Sequence, residues 1–271
     1  MRGARSGRQS SQARTRALLV LLLVVLPVQV RAEPEAASAQ EILAAARAVN
    51  APVHDKSSHV KMVIHSPSGE ERIRTLQGFE KRTAEGRKLL WLFDSPAELA
   101  GTGFLAWQQR PLPDEMWVYF PGQRRVRRIS PDLRREQFQG STFTYEDLTT
   151  VFDLDYEGTH TLRGEEPCGD QRCWVIETVL PPQQFVYERL RTWIRRDNHL
   201  PSRIELDGGG AHKVMTVRRS ADVAGIPTIL EVEMTTPADG WRTTVEFSAV
   251  DYNANLGDEM FTVGYLGQKG K

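Results

Sequence analysis

From His59 onward the sequence is dominated by alternation with a period of two. "HVKMVIHS" sets Val60, Met62 and Ile64 against Lys61, Val63 and His65, and "ERIRTLQGFEKR" alternates again after the turn "PSG". The same grammar runs through "KLLWLF", "GFLAWQQ", "EMWVYF", "RRVRRIS", "THTLRGE", "CWVIETVL", "YERLRTWIRR", "SRIELD", "HKVMTVRR", "PTILEVEMTT" and "WRTTVEFSAV". Gly, Pro, Asn or Asp punctuate most of the gaps, as in "FPGQ", "RDNHLP", "DGGG" and "TPADG". Alternating segments joined by short turn sequences read as hairpin-linked strands, so about a dozen strands in an antiparallel sheet are expected. No repeat of 20 to 50 residues accompanies them, which disfavours a propeller.

An apolar sheet face must be covered. Helical material for that purpose is scarce. "SAQEILAAARAVN" reads as a helix opened by a Ser38/Glu41 capping box, with Ile42, Leu43, Ala46 and Val49 on one stripe. In "TYEDLTTVF", Thr144 can cap a short turn that begins with Glu146 and Asp147, acids that suit a helix start. "DSPAELAGTG" also interrupts the strand pattern. One helix and a few short ones cannot make a layer, but they can plug a strongly curved sheet. The expected class is mainly β (α+β).

The chain has 271 residues with 35 basic and 35 acidic side chains, and the two signs are unevenly placed. Arg2, Arg5, Arg8, Arg14, Arg16 and Arg31 precede the first acid, Glu33. Between them lies the apolar run "ALLVLLLVVL", Ala17 to Leu26, too short to cross a bilayer, which takes about 20 residues. A basic segment, an apolar segment and "VRA" read as an export signal over residues 1–32, cleaved after Ala32, with an uncleaved anchor as the alternative. Removing those six arginines leaves 29 basic against 35 acidic residues in a domain spanning 33–271. A mildly acidic, exported chain has no global field to attract nucleic acid. The expected location is the periplasm.

Cys168 and Cys173, in "PCGDQRC", flank what reads as a hairpin tip. In an oxidising compartment a disulfide is expected there. The spacing is not Cys-x-x-Cys, and two cysteines with no histidine at finger spacing make no zinc site. His59 and His65, about 20 Å apart along one strand, cannot share a metal. "GTG" and "GGG" lack the lysine and helix of a phosphate loop. No metal or cofactor is expected.

"QGSTFTYEDL", Gln139 to Leu148, gathers hydroxyls and acids in ten residues. Ser141 has no histidine nearby in sequence, and "GST" is not a nucleophile elbow. Glu146 and Asp147 could form a carboxylate pair for a hydrolase, but adjacent residues on a helix diverge by about 100 degrees and face one bond poorly. A structural reading explains the composition better. Gly140 permits a tight turn, Ser141 or Thr144 caps, Phe143 and Tyr145 tuck inward, and the segment plugs or gates a cavity.

With "GFLAWQ" and "DEMWVYFPGQRRVRRIS", this stretch makes the chain resemble the LolA/LolB superfamily, in the branch of LolA-like "outer membrane lipoprotein-sorting" proteins. The motifs span roughly Gly103 to Leu148. That branch usually carries an aspartate after the serine of the last motif, where this chain has Thr142. The resemblance implies an unclosed barrel of about eleven strands whose apolar cavity takes acyl chains. It implies a carrier, not an enzyme, that passes a lipid or acylated lipoprotein toward the outer membrane. It also implies an alternative role as accessory or sensor of an inner-membrane RND-type transporter, acting as a monomer. Aromatics suited to line such a cavity are Trp91, Phe93, Phe104, Trp107, Trp117, Tyr119, Phe120, Phe143, Tyr145 and Trp193. Met62, Met215 and Met234 would adapt to varied cargo. Arg124, Arg125, Arg127 and Arg128 could meet lipid headgroups or a membrane surface, although a charged hairpin is also what a solvated, ion-paired sheet edge looks like.

Overall fold

The computed structural model describes residues 37–50, 54–84, 86–109, 112–152, 154–182 and 185–269. The expected signal over residues 1–32 lies outside them. Residues 37–271 form one compact unit. Its first element is α1 (Ala39–Asn50). The capping box is present: the Ser38 amide donates to Glu41 Oε2 at 2.7 Å, and the Glu41 amide donates to Ser38 Oγ at 3.2 Å. Ala39, Ile42, Leu43 and Ala46 form its buried stripe.

Thirteen strands follow among the described residues, where the resemblance implied about eleven. They are β1 (Asp55–His65), β2 (Glu71–Thr83), β3 (Gly86–Ser95), β4 (Gly103–Gln108), β5 (Glu115–Phe120), β6 (Arg125–Arg128), β7 (Thr159–Cys168), β8 (Gln171–Val179), β9 (Arg189–Arg195), β10 (Pro201–Gly208), β11 (Ala211–Val223), β12 (Ile226–Thr236) and β13 (Trp241–Tyr252). All belong to one antiparallel sheet, ordered β6-β5-β4-β3-β2-β1-β13-β12-β11-β10-β9-β8-β7. Among the described strands only β1 and β13 pair across a distance in sequence, with Val60 opposite Phe247 and Met62 opposite Val245. β6 and β7 are the two edges, and the sheet does not close.

The sheet curves strongly. α1 touches both β7 and β12. Those strands are five places apart, which on a flat sheet is about 24 Å, at ~4.8 Å per strand. A helix is only about 10–12 Å across, so the sheet wraps around it. On the inner face Val60, Met62, Ile64, Leu76, Trp91, Phe104, Ile176, Ile204, Met215, Val232 and Val245 merge into one core. The outer face of β3, β4 and β5 carries a second, smaller core, made with the chain's C-terminal segment. That segment ends in α3 (Val263–Lys269), which packs on β4, β5 and β6.

Candidate functional site: a plugged concavity

The chain between β6 and β7, residues 129–158, joins one sheet edge to the other across the inner face. After a 3-10 turn at Pro131–Arg135 it makes a tight hairpin: Phe138 N donates to Phe143 O at 2.7 Å, and Gln137 bridges Thr144. Gln139 and Gly140 both have positive φ, 51° and 70°. Glycine takes that conformation without cost, and an L-residue such as Gln139 adopts it only where its surroundings hold it. The turn drives Phe138 into a nest of rings, with centroids 5.5–5.8 Å from Trp91, Phe93, Phe104 and Tyr145. Phe143, Leu148, Val151 and Leu154 continue the plug's apolar side, all 0–1% exposed.

A short helix, α2 (Asp147–Thr150), lies in the middle of the plug. Thr144, and not Ser141, caps it: the Asp147 amide donates to Thr144 Oγ1 at 3.3 Å, and the Thr144 amide donates to Asp147 Oδ2 at 2.7 Å. The Ser141 hydroxyl instead donates to Phe138 O at 2.7 Å, within the turn. Asp147 does more than favour a helix dipole. It is fully buried, accepts from Lys213 Nζ at 2.8 Å and accepts from the Tyr187 hydroxyl at 2.6 Å. Lys213 also donates to Thr142 O at 2.8 Å. Burial, then the Asp147 charge and hydrogen bond, push the Tyr187 phenol far above its ordinary range, so it stays a donor. Thr142 completes the latch: its amide donates to Thr243 Oγ1 at 3.0 Å and its hydroxyl to Met234 O at 3.1 Å. On the opposite wall Gln108 Nε2 donates to Thr149 O at 3.1 Å. The plug is thus pinned to β4 on one side and to β11, β12 and β13 on the other.

Beside α2 the inner face leaves a cavity of about 60 Å³. Leu89, Trp91, Leu148, Phe152, Ile229 and Phe247 give it apolar walls; Lys56, Glu80, Arg82 and Arg87 ring its rim. Glu80 meets Lys56 Nζ at 2.5 Å and Arg87 Nη2 at 2.8 Å, and Arg87 Nη1 donates to Gln108 Oε1 at 2.6 Å. Burial alone would raise the Glu80 carboxyl, but the Arg87 and Lys56 charges outweigh it and bring the pKa down to about 2. The opposite holds for Glu146, where burial wins over the cation of Arg134, 3.9 Å away, and the nearby Asp114 and Asp147 add to it. Its pKa rises to about 7. Glu146 and Asp147 therefore face different surroundings and do not flank a common cleft.

The aromatics singled out from sequence divide between the two faces. Trp91 lines the cavity. Phe93, Phe104, Phe143 and Tyr145 sit in the inner core against the plug, and Phe120 packs at its margin. Trp107, Trp117 and Tyr119 point to the outer face, under α3 and Phe261, where Trp107 Nε1 donates to Phe261 O at 2.8 Å. Trp193 is also outside, against Cys173 and Val175, with its Nε1 donating to Glu166 at 2.8 Å. Those four do not line the cavity, because alternation within β4, β5 and β9 aims them the other way. Met62, Met215 and Met234 are fully buried in the inner core. Arg125, Arg127 and Arg128 are exposed on edge strand β6, and Arg124 sits just before it at a left-handed turn. Arg128 pairs with Glu115. A disulfide joins Cys168 and Cys173. The latch residues Lys213, Tyr187 and Thr243 were not singled out from sequence.

A family model described as "Uncharacterized protein" matches residues 85–268. Among solved structures, a DUF1329 family protein from Desulfovibrio piger superposes with a TM-score of 0.79 at 26% identity, covering 84% of this chain and 97% of that one. A domain described as an outer membrane lipoprotein-sorting protein, from Vibrio parahaemolyticus, gives 0.77 at 24% identity, covering 85% and 98%. A LolA superfamily protein from Nitrosomonas europaea gives 0.69 at 19% identity, covering 85% and 100%. No functionally curated protein matches the sequence.

Proposed function

We propose that this chain, a member of the family matched over residues 85–268 with a fold like those of the DUF1329, lipoprotein-sorting and LolA superfamily structures, is a binding protein for an acyl chain of a lipid or lipoprotein. The chain enters the inner face of the sheet as the plug gives way. The observation that carries this reading is the plug itself. It is a continuous connection between two unpaired sheet edges, laid over an apolar face and pinned to it by a small polar latch.

The resting cavity of about 60 Å³ has the volume share of roughly two waters. Pockets for ligands run to about 300–1,000 Å³, so binding requires exchange. An acyl chain burying about a dozen methylenes gains roughly 10 kcal/mol at ~0.8 kcal/mol each. Lifting Phe138, Phe143, Leu148 and Val151 from the inner face forfeits about 6–12 kcal/mol at ~1.5–3 kcal/mol per side chain. The two are of the same order, so cargo and plug compete for one surface, and a carrier of this kind can both load and release. No catalytic group is needed for that work. Export with cleavage after Ala32, a monomeric state and hand-over toward the outer membrane belong to the same proposal. A donor such as an RND-type transporter would meet the chain at an open edge, β6 or β7.

The test is binding of a fluorescent fatty-acid or phospholipid probe to the purified protein. Phe152→Asp, at the cavity wall beside α2, should weaken probe uptake at least tenfold with an unchanged circular-dichroism spectrum. Trp193→Gln, on the outer face, should leave uptake as it was. Equal uptake by all three proteins would remove the inner face from consideration.

A further inference from the structure

At the other end of the plug, away from the 60 Å³ cavity, Arg72 and Arg74 stand on the inner face of β2. Arg72 is opposite Ile64 and Arg74 opposite Met62, both of which are fully buried on that face. Strands with apolar neighbours rarely present two cations inward at successive same-face positions without something between them to neutralise. Here the loop Gln139–Thr142 approaches. A side chain added at Gly140 would lie 3.8 Å from Arg74 Nη2 and 4.0 Å from Arg72 Nη1, so both guanidinium groups flank that glycine. Arg72 also stacks over Trp241, 5.4 Å from the ring centroid. Arg72, Gln137, Gly140, Ser141, Thr142 and Trp241 enclose a pocket of about 270 Å³.

The charges present do not settle this pair. Glu70 Oε1 is 3.8 Å from Arg72 Nε and both are exposed, so the contact is weak. Glu98 acts on Arg74 only at a distance. Arg74 Nη1 is buried and has no hydrogen-bond partner among the described residues. A buried donor on a cation costs more than a neutral one to leave unmade. Burial and then the neighbouring Arg72 charge lower the Arg74 pKa, which is the signature of a cation that lacks its counter-charge.

We propose that this pocket, together with the Arg74 guanidinium that flanks Gly140 beside it, is an anion site: Arg72 from the pocket wall and Arg74 from its margin clamp a phosphate or carboxylate group against the Gly140–Thr142 turn, with Trp241 holding Arg72 in place. Guanidinium forks suit tetrahedral and planar oxyanions because two parallel N–H donors match two oxygens. Gly140 has no Cβ, which leaves the oxyanion room beside the turn. The site does not rest on the acyl reading, since a soluble anion would bind here even if no lipid entered the concavity.

The chemistry is shared by an inorganic phosphate and an anionic lipid headgroup, and two arms of one experiment separate them. In the first, inorganic phosphate is titrated calorimetrically into the purified protein at constant ionic strength, with chloride as the exchanged ion. One saturable site is expected. Arg72→Gln and Arg74→Gln should each weaken it at least tenfold, while Arg163→Gln, which disturbs only an edge-strand pair with Glu177, should not. Should Arg74→Gln fail to fold, Arg74→Lys keeps the charge but loses the fork, and about tenfold weaker binding is expected. In the second arm, vesicles of phosphatidylglycerol or of phosphatidylcholine are sedimented with the protein. Retention on phosphatidylglycerol alone, lost in the two Gln variants and displaced by phosphate, supports the site with a headgroup as its source. Saturable phosphate binding without vesicle retention supports the site with a free anion as its source. No saturable phosphate binding together with no arginine-dependent retention would overturn the proposal, as would binding that both Gln variants preserve.

Discussion

Lys213→Met is the most informative single change to the plug. Methionine keeps the length and apolar stem of lysine and deletes the ammonium group. Asp147 would remain fully buried, with only the Tyr187 hydroxyl and the Thr144 amide to hold its charge. Breaking one side of a buried ion pair costs about 3–5 kcal/mol, because a buried charge is left uncompensated. In a domain of this size one kcal/mol moves the melting temperature by roughly 2–4 °C, so a fall of about 6–20 °C is expected. Urea unfolding at pH 7, followed by tryptophan fluorescence, gives the free energy directly. Asp147→Asn combined with Lys213→Met removes both charges, and the double variant should be more stable than Lys213→Met alone by at least 1 kcal/mol. Amide exchange should locate the effect, rising in residues 142–150 and not in α3. A Lys213→Met protein within 1 kcal/mol of the parent, or a double variant no better than the single one, would refute the latch.

Other consequences are equally measurable. The Glu80 pKa is depressed, so its contribution to stability is present above about pH 4.5 and fades as pH falls through 4.5 toward 2; the loss is about 3 kcal/mol, and Glu80→Gln should flatten the acid limb of a pH–stability curve. Glu146 has the opposite sign: its pKa is raised to about 7, so the folded state loses stability as pH rises from about 4.5 to 7. Glu146→Gln should match the parent at pH 4 and exceed it at pH 8, by up to about 3 kcal/mol. Replacing Cys168 and Cys173 with serine opens a very short loop and should cost about 2 kcal/mol in chemical denaturation. Phe261→Ala empties the outer core beneath α3 and should cost about 3–5 kcal/mol, while fatty-acid probe uptake stays unchanged.

The sheet was legible in the sequence because its strands alternate and its turns are marked by Gly, Pro, Asn and Asp. The plug was legible as a break in that alternation. What alternation cannot say is which face is inside. "GFLAWQ" is apolar on both: Phe104 and Ala106 go inward, Leu105 and Trp107 outward. Nothing in the alternation separates Trp107, Trp117 and Tyr119 from cavity residues, because the helix that covers them, α3, carries a weak helical signal. Gly264 and Gly267 are poor helix formers, and they mask a start marked by Thr262, whose Oγ1 accepts from the Tyr265 amide at 3.2 Å. One signal was available: Gly103 opens a strand, where a glycine marks a close approach, and a Cβ on it would fall 2.5 Å from Leu266 Cδ1. The inward charges were hidden for a related reason. In "ERIRTLQGFEKR" one face carries Arg72, Arg74, Leu76, Glu80 and Arg82, and the other Ile73, Thr75, Gln77, Phe79 and Lys81. Neither face is plainly apolar, and only the pairing of β2 with β1 decides between them. Asp147 and Lys213 are 66 residues apart, and nothing local to either announces the other.

Native mass spectrometry of protein secreted into a periplasm and purified without detergent tests the central claim most directly. The account predicts one bound lipid or acyl adduct per chain, or stoichiometric uptake when phospholipid is added, with loading faster in Lys213→Met, whose plug is less firmly held. A bare chain mass in both proteins that persists in the presence of added lipid would contradict it.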